Sequence, residues 1–222
     1  MPLFRLLPLV LLLALPGCRD EEFDWRQRIT VTVETPAGEV SGFSVQSLHV
    51  TKALKGYAGQ PPGSHTELRG EAVAVEVAAE RYLFLLLEGP DVWLLPSLVR
   101  PGLGEYAGYG VRTIEVLRAA GALPTGTVLP IPPDGLPLLV TFDDVADPKT
   151  VRRVEPSDLA VSFGPGVALT SVTLEITDEA VTEGRVEEVL GRKPGDGSLD
   201  GIWNEISSDA RKILSSVNWV RK

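Results

Sequence analysis

The sequence is short of the residues that build most chemical centres. It has one cysteine, Cys18, and two histidines, His49 and His65, in 222 residues. A single thiol excludes an internal disulfide framework, a cysteine-rich zinc site and an iron–sulfur cluster. Two imidazoles leave no room for a histidine-rich metal set. Cations are in deficit too: 21 Lys and Arg stand against 30 Asp and Glu, a formal charge of −9. Binding nucleic acid rests on neutralising phosphates with a basic surface, so no nucleic-acid partner is expected. No apolar run approaches the roughly twenty residues that a bilayer core demands. No G-x-S-x-G accompanies either histidine, so a serine triad has no signature and no catalytic residue is assigned. Gly102-Leu103-Gly104, followed by Gly108 and Gly110, has the wrong spacing for a dinucleotide fingerprint. Neither a cofactor nor a metal is expected.

What is present starts with the N-terminus. Arg5 precedes the apolar run 6–15, LLPLVLLLAL, which has the length of a signal-peptide core and is too short to span a membrane. The run ends in Leu15-Pro16-Gly17-Cys18. This resembles the lipobox of bacterial lipoprotein precursors, with Leu three places before the cysteine and a small residue directly before it. The resemblance implies that residues 1–17 are a leader, that the Cys18 thiol receives a diacylglycerol, and that the new amine is acylated. Two or three acyl chains anchor durably where one does not. In Gram-negative lipoproteins an Asp directly after the cysteine favours inner-membrane retention; here that place is Arg19. The expectation is therefore an outer-membrane protein facing the periplasm, its partner the lipid bilayer through acylated Cys18.

Residues 18–27 read as a polar tether, and 28–222 as one domain. Residues 28–34, RITVTVE, alternate Ile29, Val31 and Val33 against Thr30 and Thr32, the period of a half-buried strand. A Thr35-Pro36-Ala37-Gly38 turn and a return over 40–51 complete a hairpin. Residues 55–65 read as a Gly/Pro loop carrying His65. A second alternation over 71–77 leads through a tight turn at 78–81 into 82–87, YLFLLL, apolar on both faces and so expected to be central. Residues 91–99 have room for one helical turn before Pro96. A short helix is expected over 110–120 with Gly121 as its stop, a buried strand over 138–142, another strand over 170–177, and a weak helical pattern over 184–191. Residues 201–222 place Ile202, Ile206, Ala210, Ile213, Val217 and Val220 on one stripe, which predicts an amphipathic helix ending in Arg221-Lys222. The fold class is α+β: mainly antiparallel sheet with covering helices, the C-terminal one included.

Two patches, RITVTVETPAGEVSGFSV at 28–45 and FDDVADPKTVRRVEPSDLAVSFGPGV at 142–167, resemble a group of small alphaproteobacterial proteins, some of them lipoproteins. The resemblance implies one domain of shared topology and carries over no catalytic residue.

Three features bear chemistry. Asp143, Asp144 and Asp147 follow a strand end, where carboxylates can bind Ca²⁺ or Mg²⁺ or work as an acid/base pair. Asp147-Pro148 is equally a turn dipeptide, and aspartates cap turns through their own backbone. Capping is the expectation. Residues 196–204, DGSLDGIWN, approach an EF-hand loop, but place twelve is Ser207 and not a bidentate Glu, so a loop ending in an Asp200 N-cap is expected. Tyr106 and Tyr109 can stack on a ligand in the Gly/Pro-rich middle. The expected function is a non-enzymatic envelope protein that binds or scaffolds another envelope protein. The alternatives are a small-molecule or carbohydrate binder, and a hydrolase using the Asp143, Asp144 and Asp147 cluster.

Overall fold

Alternation at period two builds the molecule. The structure, a computed structural model, describes residues 20–53, 63–87, 93–103, 112–191, 208–215 and 218–221. Within them the strands are β1 (Glu21–Thr35), β2 (Gly38–Lys52), β3 (Ser64–Glu71), β4 (Val73–Ala78), β5 (Arg81–Leu85), β6 (Val128–Pro130), β7 (Leu139–Phe142), β8 (Val151–Arg153), β9 (Ala168–Ile176) and β10 (Val220–Arg221). The helices are α1 (Leu94–Val99), α2 (Ile114–Gly121), α3 (Leu159–Phe163), α4 (Arg185–Leu190) and α5 (Ser208–Ile213). One sheet has the order β10-β3-β2-β1-β9-β6 and the other β4-β5-β7-β8. Every pairing is antiparallel. The class is the expected α+β.

The first hairpin is longer than the sequence pattern suggests. β1 and β2 pair without a break from Glu21↔Lys52 to Thr35↔Gly38. The segment expected as a tether is strand from Glu21 onward, because Trp25 and Gln27 continue the inward face of Ile29, Val31 and Val33. His65 likewise lies in β3, paired with Thr51, and not in a loop. The turn closes where Thr35 Oγ1 donates to Gly38 O at 2.6 Å and accepts from Ala37 N at 3.2 Å.

The two sheets stack. Inward residues of β1, β2 and β9 meet Val73, Val75, Val77, Leu83 and Leu85 of β4 and β5 in one core. Gly42 is needed here, since a Cβ would collide with the Ala74 carbonyl. A second core covers the other side of the second sheet. Phe84 and Leu86 project into it with Phe142, Val186, Ile213 and Trp219, and Phe84 meets Trp219 edge-on at 5.1 Å. The run 82–87 thus has a covered face on each side, as its composition predicts. At about 25 cal/mol per Å² of apolar surface, these two layers are the main driving force for the fold.

Two helical expectations change. α1 runs through Pro96; the proline stands in the first turn, where its missing N–H has no partner to lose. The expected helix over 201–222 is, in the described residues, helix only over Ser208–Ile213. Beyond it Asn218 Nδ2 donates to Lys212 O at 2.7 Å and Trp219 Nε1 to Ile213 O at 2.8 Å. Those side chains satisfy the last carbonyls of α5, and the chain then joins the first sheet as β10 beside β3. Burying Trp219, 1 % exposed, outweighs another helical turn. Ile202, Ile206 and Val217 lie outside the described residues.

Candidate functional site

The aspartate triplet sits at the end of β7 and each member has its own bond. Asp143 Oδ1 accepts from Arg152 Nε at 2.8 Å. Asp144 Oδ1 accepts from Ala146 N at 2.8 Å, and Asp147 Oδ1 from Lys149 N at 2.9 Å. Thr150 Oγ1 binds the carbonyls of Asp144 and Asp147, both at 2.8 Å. These are the Asx bonds that tie a turn. The carboxylates do not converge, and no group of three metal-type ligands occurs among the described residues. Tyr106, Tyr109, Cys18 and residues 196–204 lie outside the described residues.

Asp143 and Asp144 do line a concave site. It has a volume of about 590 Å³ and lies between the β4–β5 turn, the aspartate turn and the end of α4. A neighbouring cavity of about 560 Å³ runs along Val40, Glu76 and Arg185. Tyr82, Glu188 and Val189 border both, so the two form one groove with Tyr82 at its waist. Glu76, Glu80, Glu188, Asp143 and Asp144 outnumber Arg81 and Arg185 in the lining, which is therefore net negative. Burial, together with the charges of Glu76, Glu80 and Glu188, holds the Tyr82 phenol above its ordinary range. Such a lining repels anions and attracts cations.

Arg81 and Arg152, near the groove, are committed to structure. Arg81 donates to the carbonyls of Ser162 and Phe163. Arg152 Nη1 donates to Ser162 Oγ at 2.8 Å. Together they hold the end of α3. Glu80 stands at φ 58 in the β4–β5 turn, an uncommon conformation for a residue with a Cβ.

His49 has partners on both ring nitrogens. Nδ1 lies 2.8 Å from Asp24 Oδ1, and Nε2 lies 3.3 Å from Thr51 Oγ1. The Asp24 hydrogen bond raises the imidazole above its usual range. This acid–imidazole–hydroxyl row lies on a strand surface, and the groove beside α4 includes none of its members.

The groove is at one end of the sandwich. Val40 and Ser41, next to the β1–β2 turn, border it with Ala74 and Glu76, and Gly166 approaches Pro36 of that turn. The opposite end carries Glu21, which accepts from Arg118 Nε of α2 at 3.0 Å. Sequence reasoning missed Tyr82, Glu76, Glu80 and Glu188. Nothing in a local pattern shows that the β5 start, the β4 end and α4 meet. Compared with known proteins, the chain matches no family model, no curated protein and no solved structure.

Proposed function

We propose that the protein is a lipid-anchored envelope protein that binds its partner without transforming it, presenting the Tyr82 groove away from the bilayer. One observation carries the reading. Only Arg19 and Asp20 separate Cys18 from Glu21, the first residue of β1. A thiol acylated at Cys18 therefore lies within roughly 11 Å of that end of the sheet. The groove lies at the other end of a hairpin of 15-residue strands, about 50 Å long at the rise of a β-strand. The lipobox resemblance supports the anchor, and Arg19 supports an outer-membrane protein facing the periplasm. The carboxylates around Tyr82 support a cationic segment of another envelope protein as the partner.

A second reading is a small-molecule or carbohydrate binder. It is favoured by the volumes of the groove's two cavities, about 590 and 560 Å³, each in the range of about 300–1,000 Å³ typical of ligand sites, and by the aromatic ring at its waist.

Two measurements test the proposal. Cys18→Ser should abolish membrane fractionation and leave an unprocessed precursor. Normal processing and partitioning of that variant would overturn the anchor. Recovery of a partner from detergent-solubilised membranes should weaken with salt and be lost in Glu80→Lys/Glu188→Lys. Recovery indifferent to both would overturn the groove as the binding surface.

A further inference from the structure

We propose that α4 is a hinged strap over the outer face of the second sheet, and that the charge state of Glu71 sets how firmly it is closed. The inference does not depend on the anchor. α4 has six residues, of which Val186 and Leu190 are buried. It is bracketed by Gly184 at φ 84 and Gly191 at φ 63. A Cβ at either glycine would meet nothing within 4 Å, so these positions use the glycine's backbone freedom and not its small size. Cavities flank the helix on both sides: the Tyr82 groove on one, and on the other a space of about 310 Å³ lined by Gly70, Thr182, Glu183, Glu187 and Arg221.

Glu71 fastens the start of the strap. It is fully buried where the chain passes from the first sheet to the second. One carboxyl oxygen accepts from Arg185 N at 3.0 Å and the other from Val186 N at 3.2 Å. Gly184 offers no side-chain cap, so this distant carboxylate holds the amides that a helix start leaves without partners. The latch has an opposing cost. Burial raises the Glu71 carboxyl above the usual range; the amides of Val186, Arg185 and Gly184 pull it back, and the charge of Glu187 pushes it up again. The charged groups around it are Arg185 and Glu187 on α4, Glu183 before it and Arg221 on β10. Arg185 lies over the Phe43 ring and Arg221 donates to Leu87 O. β2 and β4 present Ser44, Ala72 and Val73, which carry no charge.

The sign follows from linkage. With the strap closed, burial makes Glu71 hold its proton more tightly than it does in the open form, where it is hydrated and ionises normally. Raising the pH therefore favours opening, and acid favours closure. Each unit by which the closed-form pKa exceeds the open-form value changes the opening equilibrium tenfold.

Hydrogen exchange on the full chain tests this, with intrinsic rates corrected at each pH. From about pH 4, near the ordinary carboxyl range, to about pH 8, protection of the α4 amides should fall relative to those of β5. In Glu71→Gln, which does not titrate, that fall should vanish. One shared pH profile for α4 and β5, or an unchanged profile in Glu71→Gln, would overturn the proposal. If Glu71→Gln does not fold, half-buried Glu187 provides the second variant. Glu187→Gln should move the fall to lower pH, and an unmoved profile would overturn the proposal equally.

Discussion

Arg152 reaches back nine residues to donate from Nε to Asp143 Oδ1 at 2.8 Å, and its Nη1 grips Ser162 Oγ on α3. Asp143, one of two aspartates that line the groove, is thereby a strut between β8, the aspartate turn and α3. Asp144 and Asp147 are spent on their own turn. Replacing all three with Asn should lower stability by only about 1–2 kcal/mol, because Asn also caps. Millimolar Ca²⁺ should leave the melting temperature unchanged. A clear Ca²⁺-dependent rise in a thermal melt would restore the metal reading.

The contact between the two sheets makes a sharper prediction at Gly42. A Cβ there would collide with the Ala74 carbonyl and close on Val75 Cγ2 at 3.0 Å. Backbone cannot swing aside as a side chain can, so Gly42→Ala must push β2 from β4. A loss of about 1–3 kcal/mol is expected, the range of overpacked cores. Gly38→Ala provides the comparison. Its Cβ meets nothing within 4 Å but its φ is 118, so its cost would be backbone strain alone. Denaturant titration separates the two.

The His49–Asp24 pair predicts a pH effect of known sign. Asp24 raises the His49 imidazole above its ordinary range. A raised imidazole contributes its full stabilisation below the ordinary value, and the contribution is lost as pH rises through the raised one. The effect is small, because both side chains are solvent-exposed. The stability difference between wild type and Asp24→Asn should therefore be largest in mild acid and vanish on the alkaline side. A difference that stays constant across that range would mean the pair has no electrostatic role.

Where a strand shows one clean face, its sequence announced it: Ile29, Val31 and Val33, or Val172, Leu174 and Ile176. Leu83, Phe84 and Leu85 announced a strand covered twice. The first half of β1 was obscured by Glu22, Asp24 and Arg26 on its outer face, although Phe23 and Trp25 already alternated. Glu71 was unreadable for a different reason. It looks like a polar position in an alternating run, and only the passage between sheets at Gly70–Ala72 turns it inward toward α4, more than a hundred residues away in sequence. The groove depends on the same non-local meeting. Tyr82 was legible as part of a strand, while its carboxylate neighbours come from β4, the β4–β5 turn and α4. At the C-terminus the helical stripe extends through Val220, but a period cannot show that Trp219 must turn back to fill the second core.

That C-terminal turn makes the most decisive prediction. Ile213 is 1 % exposed and belongs to the second core with Phe84, Phe142 and Trp219. Trp219 O accepts from Ala72 N at 2.8 Å, and Asn218 O from Leu87 N at 2.7 Å, so the segment also supplies backbone partners to the second sheet. An element that only docked onto another protein would give up neither apolar burial nor these bonds on removal. Ile213→Ala should cost about 2–5 kcal/mol, as buried large-to-small changes do. In a chain of this size that is a fall in melting temperature of roughly 4–20 °C. Arg153→Ala, which breaks the exposed ion pair to Asp209, should cost no more than about 1 kcal/mol. That contrast separates the apolar contribution of α5 from its charge contact with β8. Deleting residues 201–222 should expose Phe84 and Phe142 and leave two amides of the second sheet without acceptors. The expected result is a large loss of cooperativity in thermal unfolding. An unchanged melt after the deletion would mean that the segment does not belong to the core, and would make it the leading surface for a partner.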